Sequence, residues 1–238
     1  MSYIEVKDVT TGYDNMIISK HVNFTVEKGD YLCIVGENGA GKSTLMKSLL
    51  RLTPVLKGEI VYDPEIGAKD IGYLPQQTVV QKDFPASVWE IVLSGNLSKT
   101  GFRPFYNKVE KKNAQQCLKK LEAWDLKDKT FRNLSGGQKQ RVLLARAMCA
   151  TSKMILLDEP VAGLDPKVTE ELYSLVKKLN DEGITIIMIS HDISTAVQYS
   201  SHILHLGHKQ LFFGKTEDYV ESDAYKYLTT VEEGEEDE

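Results

Sequence analysis

An unbroken apolar run from Tyr31 to Val35 stops at Gly36, and the eight positions from there read Gly36-Glu37-Asn38-Gly39-Ala40-Gly41-Lys42-Ser43. No other stretch of the chain limits its fold as strongly. Closely spaced glycines let successive backbone N–H groups turn toward one point, and a helix beginning there adds the positive end of its dipole. Ser43 to Leu52 is predicted to be that helix, so the order is strand, glycine loop, helix. This is the P-loop pattern, and it predicts phosphate binding. Lys42 is expected to reach the β and γ phosphates of a nucleotide. The Ser43 hydroxyl is expected to ligate Mg²⁺, and Thr44 to continue the cradle.

The remaining pattern predicts an α/β protein with a mainly parallel sheet. Ile4, Val6 and Val9 are interleaved with polar residues and Val22, Phe24 and Val26 alternate strictly, which gives an N-terminal antiparallel β subdomain. From about residue 84 to 150 the strand signal fades, and Cys117, Leu121 and Trp124 recur at helical spacing, which gives an inserted helical subdomain. Strand and helix alternate again from Met154. Asp165-Pro166 reads as a cap and first-turn proline, Leu172, Leu175, Val176 and Leu179 line the helix that follows, and Gly183 ends it. Ile184 to Ile189 is short and apolar enough for a buried strand. Residues 1–238 are read as one domain with a solvated acidic tail at 231–238.

Composition narrows the function classes. The net charge of -5 provides no basic footprint, so no nucleic-acid partner is expected. Cys33, Cys117 and Cys149 are odd in number and far apart, which favours reduced thiols over bridges. The chain does not start with a basic stretch followed by an apolar one, and it has no apolar run of about 18 residues, so neither a secretion signal nor a membrane span is expected.

Two further clusters carry chemistry. Met154-Ile155-Leu156-Leu157 ends in Asp158-Glu159, and a buried strand does not present two carboxylates unless a cation or a reactant meets them. Alternation would turn them to opposite sides, Asp158 toward Mg²⁺ and Glu159 toward an attacking water as general base. Leu134-Ser135-Gly136-Gly137-Gln138 opens a helix with a serine and two glycines, which makes a second anion site from Ser135, Gly136, Gly137 and Gln138. His202, His205 and His208 do not read as a metal site, because strand residues three apart face opposite sides and Gly207 turns the chain before His208.

With Leu134 to Gln138 between the P-loop and Asp158, the sequence resembles the ABC ATPases from Tyr13 nearly to Phe213. The resemblance implies a P-loop NTPase core and a head-to-tail homodimer in which each bound ATP is covered by the partner's Ser135 segment. It implies that Tyr13 stacks on adenine and that Gln76 is the Q-loop glutamine, touching Mg²⁺ and the reacting phosphate, with Gln77 as a rival. Asp165 would be the D-loop aspartate and His191 the switch histidine, so that Glu159, His191, Lys42, Gln76 and Asp165 form the catalytic set. Asp83 to Trp89 is similar to the segment that importer cassettes present to a membrane permease subunit, and the closest likeness is to cassettes for zinc, manganese or chelated iron. Such a subunit would lie on the cytoplasmic face of the membrane and meet an extracytoplasmic substrate-binding protein only indirectly. The alternative is a soluble, non-transport ABC ATPase of the iron-sulfur assembly or translation type.

Overall fold

The computed structural model describes residues 2–13, 16–76, 85–100, 103, 105–151 and 153–226. Phe84, Asp83, Gln77 and the acidic tail lie outside them. The chain forms two compact units, one of Met1–Glu65 with Ile187–Glu238 and one of Ile66–Ile186.

In the first unit, β1 (Ser2–Tyr13) lies between β2 (Met16–Glu27) and β4 (Lys57–Tyr62), antiparallel to both. The spacing of Ile4, Val6 and Val9, which breaks a strict period of two, has a structural cause. Register shifts fall between Val6 and Val9, where Asp8 adopts φ 47, so all three side chains return to the buried face. β3 (Tyr31–Val35) is buried along its length and pairs in parallel with β8 (His202–Leu206), which β9 (Gln210–Lys215) joins antiparallel. Cys33, Val35 and Ile203 from these strands pack with Ile193 and Ala196 of α7 (Ile193–Tyr199) and Tyr219 of α8 (Thr216–Glu221).

The helix after the glycine loop, α1, runs from Lys42 to Leu49, shorter than its sequence suggests. Arg51 turns left-handed at φ 60, Leu52 N–H closes back on the Lys47 carbonyl at 2.9 Å, and the Arg51 guanidinium stacks 3.9 Å from the Tyr62 ring centre. No glycine announces this stop. The stacking holds a conformation that an arginine otherwise avoids.

In the second unit, β5 (Ile71–Leu74) pairs in parallel with β6 (Met154–Asp158), and the Thr185 N–H at the start of β7 (Thr185–Ile189) donates to the Lys153 carbonyl. The helices are α2 (Val88–Ser94), α3 (Leu97–Thr100), α4 (Lys108–Lys120), α5 (Gly136–Ala150) and α6 (Pro166–Asp181). Each of α2, α4 and α5 starts with a reciprocal capping box, formed by Ser87 with Glu90, Asn107 with Glu110, and Ser135 with Gln138. Trp124 does not continue the α4 face. That helix ends at the Leu121 cap, Glu122 turns at φ 54, and Trp124 packs edge-on against Trp89 at 6.0 Å. Gly183 at φ 94 follows the last turn of α6 as expected.

Candidate functional site

The glycine loop has the geometry that its sequence requires. Gly36, Gly39 and Gly41 all have positive φ, at 138, 84 and 94. A Cβ on Gly36 would lie 2.0 Å from the Leu206 carbonyl oxygen, and one on Gly41 would lie 2.8 Å from Ile18. Glu37, Asn38 and Gly39 are exposed at the tip, Ala40 and Thr44 are buried, and Ser43 is the second residue of α1. Lys42 is only 5% exposed, and its Nζ donates to the Gly36 carbonyl at 2.7 Å and to the Glu37 carbonyl at 2.9 Å. An ammonium this buried needs oxygen partners, and its own loop supplies them.

Tyr13, at the end of β1, is exposed, with the Lys47 Nζ 3.5 Å from its hydroxyl and 5.9 Å from its ring centre. The ring therefore presents a flat face beside a cation, a surface on which a base could stack. His191 is exposed between the end of β7 and the start of α7. The next residue, Asp192, caps α7 by accepting from Thr195 N–H at 2.9 Å and from the Ser194 hydroxyl at 2.7 Å. Burial works against the Asp192 carboxylate, but the bonds from Ser194 and Thr195 hold its pKa below the ordinary range.

In the second unit β6 ends at Asp158, so Glu159 is not a strand residue. Its φ is 49, a left-handed turn unusual for glutamate, and this turn rather than strand alternation separates the two carboxylates. Asp158 is 4% exposed, and the Tyr73 hydroxyl donates to its Oδ2 at 3.5 Å. Burial, followed by the charge of Asp158, pushes the Tyr73 hydroxyl up to about 12, so it remains a donor at neutral pH. Gln76 Nε2 donates to Glu159 Oε2 at 2.7 Å, which brings two of the expected residues into direct contact.

Ser135 and Gln138 are joined by their capping box, at 3.3 Å from Gln138 N–H to Ser135 Oγ and 3.1 Å in return. The glycines between them have a packing reason. A Cβ on Gly136 would come within 2.9 Å of Leu164, and one on Gly137 within 2.4 Å of Val168. Leu164 and Val168 flank Asp165, whose side chain caps α6 by accepting from Val168 N–H at 3.1 Å. The Ser135 segment and the Asp165 segment therefore pack directly on each other.

Sequence reading gave no role to Lys47 or Tyr73, and it weighed His205 only as a metal ligand. His205 is 2% exposed behind the P-loop, on the strand that meets Gly36, with its Nδ1 3.3 Å from the Tyr219 hydroxyl. Burial, with a smaller push from the charge of Lys42, lowers its pKa to about 4. His202 faces elsewhere, with its Nδ1 3.0 Å from the Ser201 hydroxyl and 3.7 Å from Asp30. Among the described residues no group of at least three His, Cys, Asp or Glu side chains could hold a metal ion.

Residues 19–162 match the family model described as ABC transporter. The chain is 36% identical over 219 residues to the manganese transport system ATP-binding protein MntB of Bacillus subtilis, covering 90% of this chain and 87% of that one. It is 34% identical over 223 residues to the zinc uptake system ATP-binding protein ZurA of Listeria innocua, covering 91% and 87%. Its fold resembles the dimeric structure of MJ0796, a bacterial ABC transporter cassette, with TM-score 0.73 and 30% identity over 90% of this chain and 98% of that one.

Proposed function

The chain belongs to the ABC transporter family as its ATP-binding and ATP-hydrolysing subunit, and from that membership we propose that it powers import of manganese or zinc through a separate membrane permease. The observation that supports this most directly is the 2.7 Å bond between Gln76 and Glu159. It ties the residue proposed to activate water to the start of the segment, Gln76 to Trp89, that we assign to the permease. A change at Glu159 on hydrolysis is thereby felt at the proposed docking segment.

In this reading Tyr13 stacks on adenine, and the backbone of Gly36 to Gly41 with Lys42 and Thr44 holds the phosphates. Glu159 takes the proton from the attacking water. His191 hydrogen-bonds the γ-phosphate, and Gln76 orients the water. Ser135, Gly136, Gly137, Gln138 and Asp165 cover the ATP held by the other protomer of a head-to-tail dimer.

The Ser43 hydroxyl, the Gln76 amide oxygen and the Asp158 carboxylate would hold Mg²⁺. All three are hard oxygen donors, and a carboxylate as buried as Asp158 fits a cation partner. When bound, the ion neutralises charge on the β and γ phosphates. The subunit works at the cytoplasmic face of the membrane, and the substrate-binding protein meets the permease rather than this chain.

The test is purification from membranes followed by reconstitution of the complex into vesicles. Uptake of radiolabelled manganese or zinc that needs ATP and fails in Glu159→Gln is expected. Recovery with ribosomes or a soluble iron-sulfur scaffold, and with no polytopic protein, would reject the proposal.

A further inference from the structure

One face of the second unit reverses the charge of the chain. Residues 97–113 carry Lys99, Arg103, Lys108, Lys111 and Lys112 against a single acid, Glu110, in a chain whose net charge is -5. Glu110 is 7% exposed, and its Oε1 accepts from the Arg103 guanidinium at 2.7 Å while its Oε2 accepts from Asn107 N–H at the start of α4. The one acid is therefore neutralised by the one arginine. Lys108, Lys111 and Lys112 stand exposed on the first turns of α4 and form no ion pair among the described residues.

Apolar side chains share this face. Leu97 is 60% exposed, Phe105 82% and Val109 76%, although α3 and α4 both pack on α5 and bury their other sides. A cleft of about 450 Å³ is lined by Asn96 and Lys99 from the α3 end and by Val109, Lys112, Asn113 and Gln116 of α4, with the paired Glu110 in its wall. The Lys99 ammonium is anchored there by donating to the Cys149 carbonyl at 3.1 Å. Asn113 Nδ2 donates to the same carbonyl and to Asn96 Oδ1, each at 3.3 Å. Two ammoniums and three amides thus surround a cleft large enough for a phosphate headgroup, with apolar side chains beside it.

We propose that this face docks on the anionic phospholipid of a membrane surface, an inference that rests on the reading of the chain as a subunit working at the cytoplasmic face. Lys108, Lys111 and Lys112 meet the headgroup phosphates, one phosphate enters the cleft between Lys99 and Lys112, and Leu97, Phe105 and Val109 enter the interfacial layer. Charge complementarity selects this occupant. The cytoplasmic leaflet is negative and attracts lysines close to it. The cytoplasmic loops of membrane proteins are themselves enriched in Lys and Arg, so they repel a face of this composition. Nucleic acid would take the phosphate contacts but gives Leu97 and Val109 nothing to enter.

Co-sedimentation of the purified full chain with protein-free vesicles tests this. Vesicles of mixed phosphatidylglycerol and phosphatidylcholine should bind it, phosphatidylcholine alone should not, and raising salt from about 0.1 M to about 1 M should weaken binding at least tenfold. Lys108→Gln should lower the partition coefficient about fivefold. Lys108→Glu/Lys111→Glu/Lys112→Glu should abolish binding, and Phe105→Ser/Val109→Ser should lower it about tenfold, with melting temperatures near that of the parent because these side chains are exposed. The same charge change at exposed positions elsewhere, Lys28→Glu/Lys57→Glu/Lys69→Glu, should leave at least half of the bound fraction. Equal binding to phosphatidylcholine, undiminished binding of the α4 triple variant, or displacement by free inorganic phosphate at constant ionic strength would each overturn the proposal. So would an RNA oligomer that binds through the same lysines while the vesicles do not. A chain that purifies with a permease yet ignores the vesicles rejects the lipid face alone, whereas vesicle binding by a chain that recovers no polytopic protein rejects the transport reading alone.

Discussion

Glu159 combines a left-handed backbone with the side chain assigned to water activation, and the two can be separated by substitution. A non-glycine residue held at φ 49 costs on the order of 1–3 kcal/mol. Glu159→Gln keeps that backbone and the hydrogen-bonding shape, so ATP binding should be unchanged while turnover drops by about 10²–10⁴ fold in a phosphate-release assay. Glu159→Gly should lose turnover equally yet melt at a higher temperature, because glycine occupies that φ without strain. Unchanged hydrolysis in the glutamine variant would remove Glu159 as the base. His205 gives a pH prediction of definite sign. Its pKa falls from 6.5 to about 4 in the folded chain, so the unfolded chain binds the extra proton first as pH drops. Folding stability should therefore be full above about pH 6.5 and decline toward pH 4, by up to about 3 kcal/mol from this group. The slope should flatten in His205→Leu, measured as melting temperature across that window.

At the scale of elements, the caps do double work. Asp165 begins α6 and is also the residue assigned to the partner's ATP site. Asp165→Asn should cap nearly as well, so its melting temperature should stay close to that of the parent, and any fall in turnover then reports the missing charge. Asp165→Ala should cost about 1 kcal/mol in addition. Asp192 has a depressed pKa, so the stability it contributes to α7 is present above the ordinary carboxylate range and is lost as pH falls through its lowered value. Gly137 separates packing from binding in the signature segment. A side chain there would meet Val168 at 2.4 Å, so Gly137→Ala should lower the melting temperature, and the smaller partner in Gly137→Ala/Val168→Ala should restore it.

At the scale of the molecule, no helix among the described residues is long and apolar enough to cross a membrane. The proposed dimer predicts a size change that depends on nucleotide. Glu159→Gln with ATP and Mg²⁺ should elute as a dimer on size exclusion, and the same protein without nucleotide as a monomer. Added Ser135→Arg should abolish the dimer peak while leaving ATP binding at the P-loop intact, and a dimer that persists in that double variant would reject the head-to-tail arrangement.

The sequence by itself determined whatever is local. Glycines at 36, 39 and 41 are needed where φ is positive, the spacing of serine and glutamine in 135–138 writes a capping box, and five buried residues in a row make β6 and β7. These signals are contiguous, and each follows from the conformational limits of one residue type. Tertiary structure decided what depends on distant partners. Arg51 stops α1 because Tyr62 lies beneath it, and Gly137 is obligatory because Val168 fills its space. The link from Gln76 to Glu159 spans 83 positions. Periodicity reports the face that a helix buries. The residue waiting on the other side of that face is fixed only when the chain has closed on itself.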